Sequence, residues 1–213
     1  MSLLPLATAL VLGFGHALEP DHMAAVTTFV ARRPRPREAL RFGVRWGLGH
    51  SAAILLAGGV LVLLDLRVPD GVTRGLEFGV GTLLLALGGW LLWGVLHERA
   101  HALAAPDAAH AHGHRHGAGW VGVAHGLAGT GSLIAIVQVT LAPSPALAVA
   151  YLVCFGVGTT LGMGTYGLVA GALFHRAGAR SPRLAGGLRA ATALGSVALG
   201  VFWMYAALSG PAA

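Results

Sequence analysis

The chain has 213 residues, 55% of them hydrophobic and only 10% charged, with a mean hydropathy of +0.72. Soluble domains carry about 25% charged residues, so this composition excludes a soluble globular fold and leaves no room for a sizeable soluble domain. The net charge of +6 rests on 14 arginines without a lysine; they lie in short stretches between apolar runs, a pattern of membrane topology and not of a nucleic-acid surface.

Apolar runs near the ~20 residues that a bilayer crossing requires predict six spans, at about 3–31, 42–65, 76–97, 118–141, 147–174 and 188–208. The first is not read as a cleaved signal peptide: no basic residue precedes its apolar core and no clean small-x-small site follows. Pro20 sits near its middle and lacks an N–H, so a kink or unwound turn is expected there. Around it, "GFGHALEPDHMAAV" (13–26) sets His16, Glu19, Asp21 and His22 in apolar surroundings. The second span carries His50 in "GLGHS"; the fifth carries Cys154, the single cysteine. One cysteine excludes an internal disulfide and a cysteine-only metal cluster, and its apolar setting reads as an inert thiol.

Arginines fix the orientation. Twelve follow spans one, three and five, against Arg67 and Arg74 on the other side. By the positive-inside rule the twelve-arginine side is cytoplasmic, so both termini are expected outside the cytoplasm of an inner (plasma) membrane. The loop after span three, "HERAHALAAPDAAHAHGHRHG" (97–117), then lies on the cytoplasmic side. Its six histidines read as a metal-binding or buffering segment, the bland alternative being a low-complexity linker.

The two halves of the chain resemble each other. At an offset of 109, Gly13 matches Gly122, His16 matches His125, Leu18 matches Leu127, and Pro34 and Pro36 match Pro143 and Pro145. The same offset aligns "WGLGHS" (46–51) with "FGVGTT" (155–160); with a small insertion "ALGGW" (86–90) aligns with "ALGVF" (198–202). Two three-span copies enter the membrane from opposite sides, the inverted-repeat plan of many secondary transporters, with sites near the midplane on interrupted helices. The expected fold is therefore an all-α integral membrane protein of six transmembrane helices. It is arranged as two inverted three-helix repeats, 1–96 and 118–213, each with an interrupted first helix, joined by the 97–117 loop.

Ionisable groups inside a membrane are costly and by default functional. In a continuous helix His16 and His22 point about 120° apart; a break at Glu19-Pro20 lets them converge. His22 and His50 each lie eight or nine residues from the cytoplasmic ends of their spans, about 12–14 Å deep, the equal depth that a shared site requires. His16, Asp21, His22 and His50 form the candidate metal site, with His125 added as the counterpart of His16. Imidazole with carboxylate suits nickel, cobalt, zinc or copper better than magnesium or calcium. Helix-to-helix hydrogen bonding alone is the bland account of these groups. Glu19 could pair with a histidine, carry a proton or face a water-filled entrance, and His175 reads as an interfacial residue.

"HALEPDH" fits the H-x4-D-H signature of the nickel/cobalt transporter family and its urease-accessory membrane relatives, and "LGHS" (48–51) resembles that family's second motif. The resemblance implies that His16, Asp21, His22 and His50 take part in ion selection and passage. Longer members have eight spans and an acidic motif in a later helix, where "FGVGTTLGMGTY" (155–166) has no carboxylate. A related efflux group has six spans and a His-rich loop. The resulting expectation is a non-enzymatic permease for nickel or cobalt ions, transported and not held as cofactors, with uptake preferred and proton-coupled efflux of nickel, cobalt or zinc as the alternative. Rocking of one repeat against the other would alternate access. Beyond the ion and the lipid bilayer, a cytoplasmic metallochaperone is a candidate partner. An intramembrane serine protease fits poorly: Ser132 in "GTGSL" is not followed by glycine and the sixth span has no histidine. A metal-sensing scaffold acting through the loop alone is the remaining rival.

Overall fold

The computed structural model describes residues 4–32, 35–64, 70–102, 122–123, 125–126 and 144–209. They form six helices: α1 (Leu4–His16), α2 (Pro20–Arg32), α3 (Pro36–Leu63), α4 (Asp70–Ala102), α5 (Pro145–Arg180) and α6 (Pro182–Ser209). There is no strand among the described residues.

Proline sets the punctuation. Pro20, Pro36, Pro145 and Pro182 each open a helix, where the missing N–H costs nothing and the fixed φ suits the first turn. The expected first span is two helices of 13 residues with Ala17–Glu19 between them. The interruption falls just before Pro20, because the proline ring would collide with the His16 carbonyl four residues back. That carbonyl instead accepts a bond from Glu19 N at 3.0 Å, a tight i→i−3 closure, and Glu19 O accepts from Met23 N at 3.0 Å to begin α2. Ser144 caps α5, its side chain accepting from Leu147 N at 3.3 Å.

The later helices overrun the expected spans. α3 begins six residues before the expected start at 42 and takes in Arg37, Arg41 and Arg45; α5 runs on through Arg176 and Arg180. Long arginine stems can lie along apolar surface while the guanidinium reaches the interface, so charge does not end the helix. α4 likewise continues through Ala102, so the first residues of the expected 97–117 loop are helical; residues 103–117 lie outside the described residues. So does the fourth expected span, apart from 122–123 and 125–126. Among the described residues, three segments are long and apolar enough to cross a membrane: Gly71–His97, Pro145–Arg180 and Pro182–Ser209.

α3 runs antiparallel to α5, α4 antiparallel to α6, and α1 lies along α5, while α2 packs against α4, α5 and α6. Glycines set the spacing. A Cβ on Gly13 would overlap the Phe155 carbonyl, and one on Gly122 the Trp46 carbonyl. A Cβ on Gly47 would lie 2.7 Å from Thr160 Cα, and one on Gly156 2.9 Å from Ser51 Cβ. Between α4 and α6 the pairs are Gly88 with Ala193 O (2.8 Å) and Gly200 with Gly81 O (2.7 Å). Small residues that allow backbone contact are what holds helices together where lipid removes the hydrophobic driving force.

Two apolar clusters flank the centre. One gathers Ala9, Ile54, Ala148, Tyr151, Leu152 and Phe155; the other includes Val26, Val30, Trp46, Leu84, Leu91, Met163 and Phe174. His16, Asp21, His22, His50 and His125 are buried between them.

Candidate metal centre

The break between α1 and α2 delivers three polar side chains to one point. His16 ends α1, Asp21 and His22 fall in the first turn of α2, and α3 brings His50 to the same depth. Asp21 at a helix N-terminus is favoured by the local dipole. His125 approaches from the other side, its neighbour Gly126 allowing close contact: a Cβ there would lie 2.7 Å from His50 O.

His16 Nε2 lies 3.1 Å from His50 Nε2, which lies 3.5 Å from His22 Nε2. Two imidazole nitrogens this close share either a hydrogen or a cation. With an ion about 2.1 Å from each nitrogen, those separations correspond to angles of about 95° and about 113°, within the range of octahedral and tetrahedral coordination. The three nitrogens thus sit like corners of one coordination polyhedron.

Asp21 stands behind this triad. A carboxylate only accepts, so His22 Nδ1–H donates to Asp21 Oδ1 at 3.1 Å and His125 Nε2–H donates to Asp21 Oδ2 at 3.2 Å. The first bond fixes the tautomer that leaves the His22 Nε2 lone pair facing His16 and His50, the carboxylate–histidine arrangement typical of metal ligands. The two donors also offset the cost of burying the carboxylate, about 2.5–3.5 kcal/mol at a helix centre. His125 meets the cluster through Asp21, whereas the sequence placed it among the ligands by analogy with His16. Asp21, His22 and His125 are also close enough together to hold an ion.

Aromatic rings close the sides. Phe155 lies 5.4 Å from the His16 ring and Trp46 5.7 Å from the His125 ring, measured between centroids. Sequence reading picked out all five central residues but not their order of contact, and it left Glu19 undecided. Glu19 Oε1 lies 3.0 Å from His16 Nδ1, without the alignment of a hydrogen bond. Its i,i+3 spacing from His16 was the available signal. His175, at the far end of α5, is not part of the cluster.

Apolar helices long enough to span a bilayer, enclosing a buried imidazole–carboxylate cluster, define an all-helical membrane protein. The chain is 30% identical over 207 residues to the urease accessory protein UreH of Bacillus sp. (strain TB-90), covering 94% of this chain and 90% of that protein. Over 105 residues it is 32% identical to a protein of Methanocaldococcus jannaschii named "putative nickel/cobalt efflux system", covering 47% of this chain and 49% of the relative. No family model and no solved structure matches. The chain belongs to the nickel/cobalt transporter family.

Proposed function

We propose that the protein carries nickel or cobalt ions across the membrane into the cytoplasm, through a site made by His16, His22 and His50 with Asp21 and His125 behind them. The observation that carries this reading is the convergence of three Nε2 atoms, with Asp21 holding His22 in the ligating tautomer. Soft-to-borderline nitrogen ligands favour late first-row ions over magnesium and calcium. A divalent cation entering a negative-inside cell gains about 4.6 kcal/mol per 100 mV, so uptake needs no obligatory coupling.

The architecture we propose is six crossings in two inverted repeats, with both termini outside the cytoplasm. Reciprocal contacts support it. Gly13 meets Phe155 as Gly122 meets Trp46, and His16 faces Phe155 as His125 faces Trp46. Ser51 Oγ lies 3.4 Å from Thr160 Oγ1, a residue meeting its own counterpart, as happens on a two-fold axis. Ser196 Oγ–H donates to Leu84 O at 3.0 Å across the equivalent point of α4 and α6. Because α3 and α5 are antiparallel, such an axis would lie in the membrane plane, and on this reading His50 is one residue from the midplane.

The site is tested by nickel flux and binding in proteoliposomes. Alanine at both His22 and His50 abolishes both; unchanged flux and affinity would remove the assignment. Efflux is the second reading, favoured by the printed name of the M. jannaschii relative. Export must work against the membrane potential and so needs a coupled proton. Oriented vesicles with and without a pH gradient separate the two: uptake proceeds on the potential alone, and export requires the gradient. Deleting 97–117 modulates flux in a permease but abolishes binding in a loop-based sensor.

A further inference from the structure

We propose that Glu19 stands at the mouth of a water-filled vestibule and is the first protein ligand a divalent cation meets before His16; this rests on the transport reading above. α1 and α2 are each 13 residues long, about 20 Å at 1.5 Å per residue, so the break between them falls at the middle of the crossing. There the Glu19 side chain is 34% exposed, while those of His16, Asp21 and His22 are 3%, 7% and 0% exposed.

A carboxylate one-third exposed at that depth cannot face lipid chains. Ionisable groups at membrane depth face either the interior of the bundle or a water-filled cavity, and a side chain this exposed is not in the interior. The exposed flank of the break is therefore the wet one, and Glu19 is where water meets the buried cluster.

The contacts give a direction to ion transfer. Glu19 Oε1 is 3.0 Å from His16 Nδ1, and His16 Nε2 is 3.1 Å from His50 Nε2. Glu19 touches His16 through one oxygen, while its side chain stays 34% exposed to an arriving ion. A single negative charge at a low-dielectric mouth raises the local concentration of cations. Its hard oxygen suits a hydrated ion, and the imidazoles behind it suit the same ion once water is shed. Glu19 then gathers cations without belonging to the inner ligand set.

Cys154 is the single cysteine, so a Cys154→Ser background makes position 19 addressable. In sealed vesicles Glu19→Cys is expected to react with a membrane-impermeant cationic methanethiosulfonate applied from one face, and nickel is expected to slow the reaction. No reaction from either face overturns the vestibule. In the otherwise native chain Glu19→Gln keeps an oxygen near His16 but loses the charge. Its KM for nickel should rise about tenfold while the X-ray absorption spectrum of bound nickel stays that of the native protein; a native KM, or an altered spectrum, overturns the gathering role. His22→Ala separates the two levels. Loss of nickel binding there with an unreactive Glu19→Cys overturns this inference alone, whereas retained binding overturns the transport site itself.

Discussion

The two halves of the molecule are alike in packing and unlike in chemistry. Gly13 and Gly122 make matching backbone contacts, Gly47 and Gly156 lie against Thr160 and Ser51 in turn, and aromatic Phe155 and Trp46 back His16 and His125. Yet the positions that correspond to Asp21, His22 and His50 are Thr130, Gly131 and Thr159. The lesson is that the scaffold and the ligands answer to different constraints. Close helix contact must hold on both sides of the molecule, whereas one ion needs one ligand set.

That contrast can be broken at its largest effect by filling the paired glycines. Leucine at Gly13 or at Gly122 would force a side chain into a carbonyl, and each should cost about 3 kcal/mol of stability, seen as equal losses in thermal unfolding in detergent. Unequal losses would mean that the packing is not reciprocal. Next comes the chemical asymmetry. His22→Ala should weaken nickel affinity about 100-fold and His125→Ala about tenfold, since the latter acts through Asp21; titration of purified protein checks both. Equal losses would make the two histidines equivalent ligands. Asp21→Asn, similar in shape but without the charge, should fall between them. The smallest effect is expected at the proposed axis, where Ser51→Ala should cost about 0.6 kcal/mol, typical of a hydrogen bond between membrane helices, and Thr160→Val about the same.

Much of this was readable from residue order. Pro20 announced the interruption because a ring without an N–H cannot continue a helix, although the helix stops at His16 and resumes at Pro20 itself. His22 and His50 could be brought together by counting depth alone. Helix ends were less legible: hydropathy counts charge as an exit, while Arg37 and Arg41 remain helical. The tautomer logic was out of reach, because it depends on which oxygen of Asp21 faces which ring. The part of Glu19 was only half legible: its i,i+3 spacing pointed to His16, but the turn at 17–19 decides how exposed it is.

The break has a mechanical consequence. Its two arms have overlapping surroundings: α1 lies along α5, which also grips α3, while α2 meets α5 too, Thr27 Oγ1 lying 2.6 Å from the Tyr166 hydroxyl, and adds the α4–α6 pair, where the Arg32 guanidinium sits 3.6 Å over the Trp90 ring. Both arms therefore rest on α5, His16 ending one of them and Asp21 and His22 opening the other. At the proposed site, an ion held by His16, His22 and His50 would tie the two arms together across the break, and any motion that bends residues 17–19 would dismantle its coordination shell.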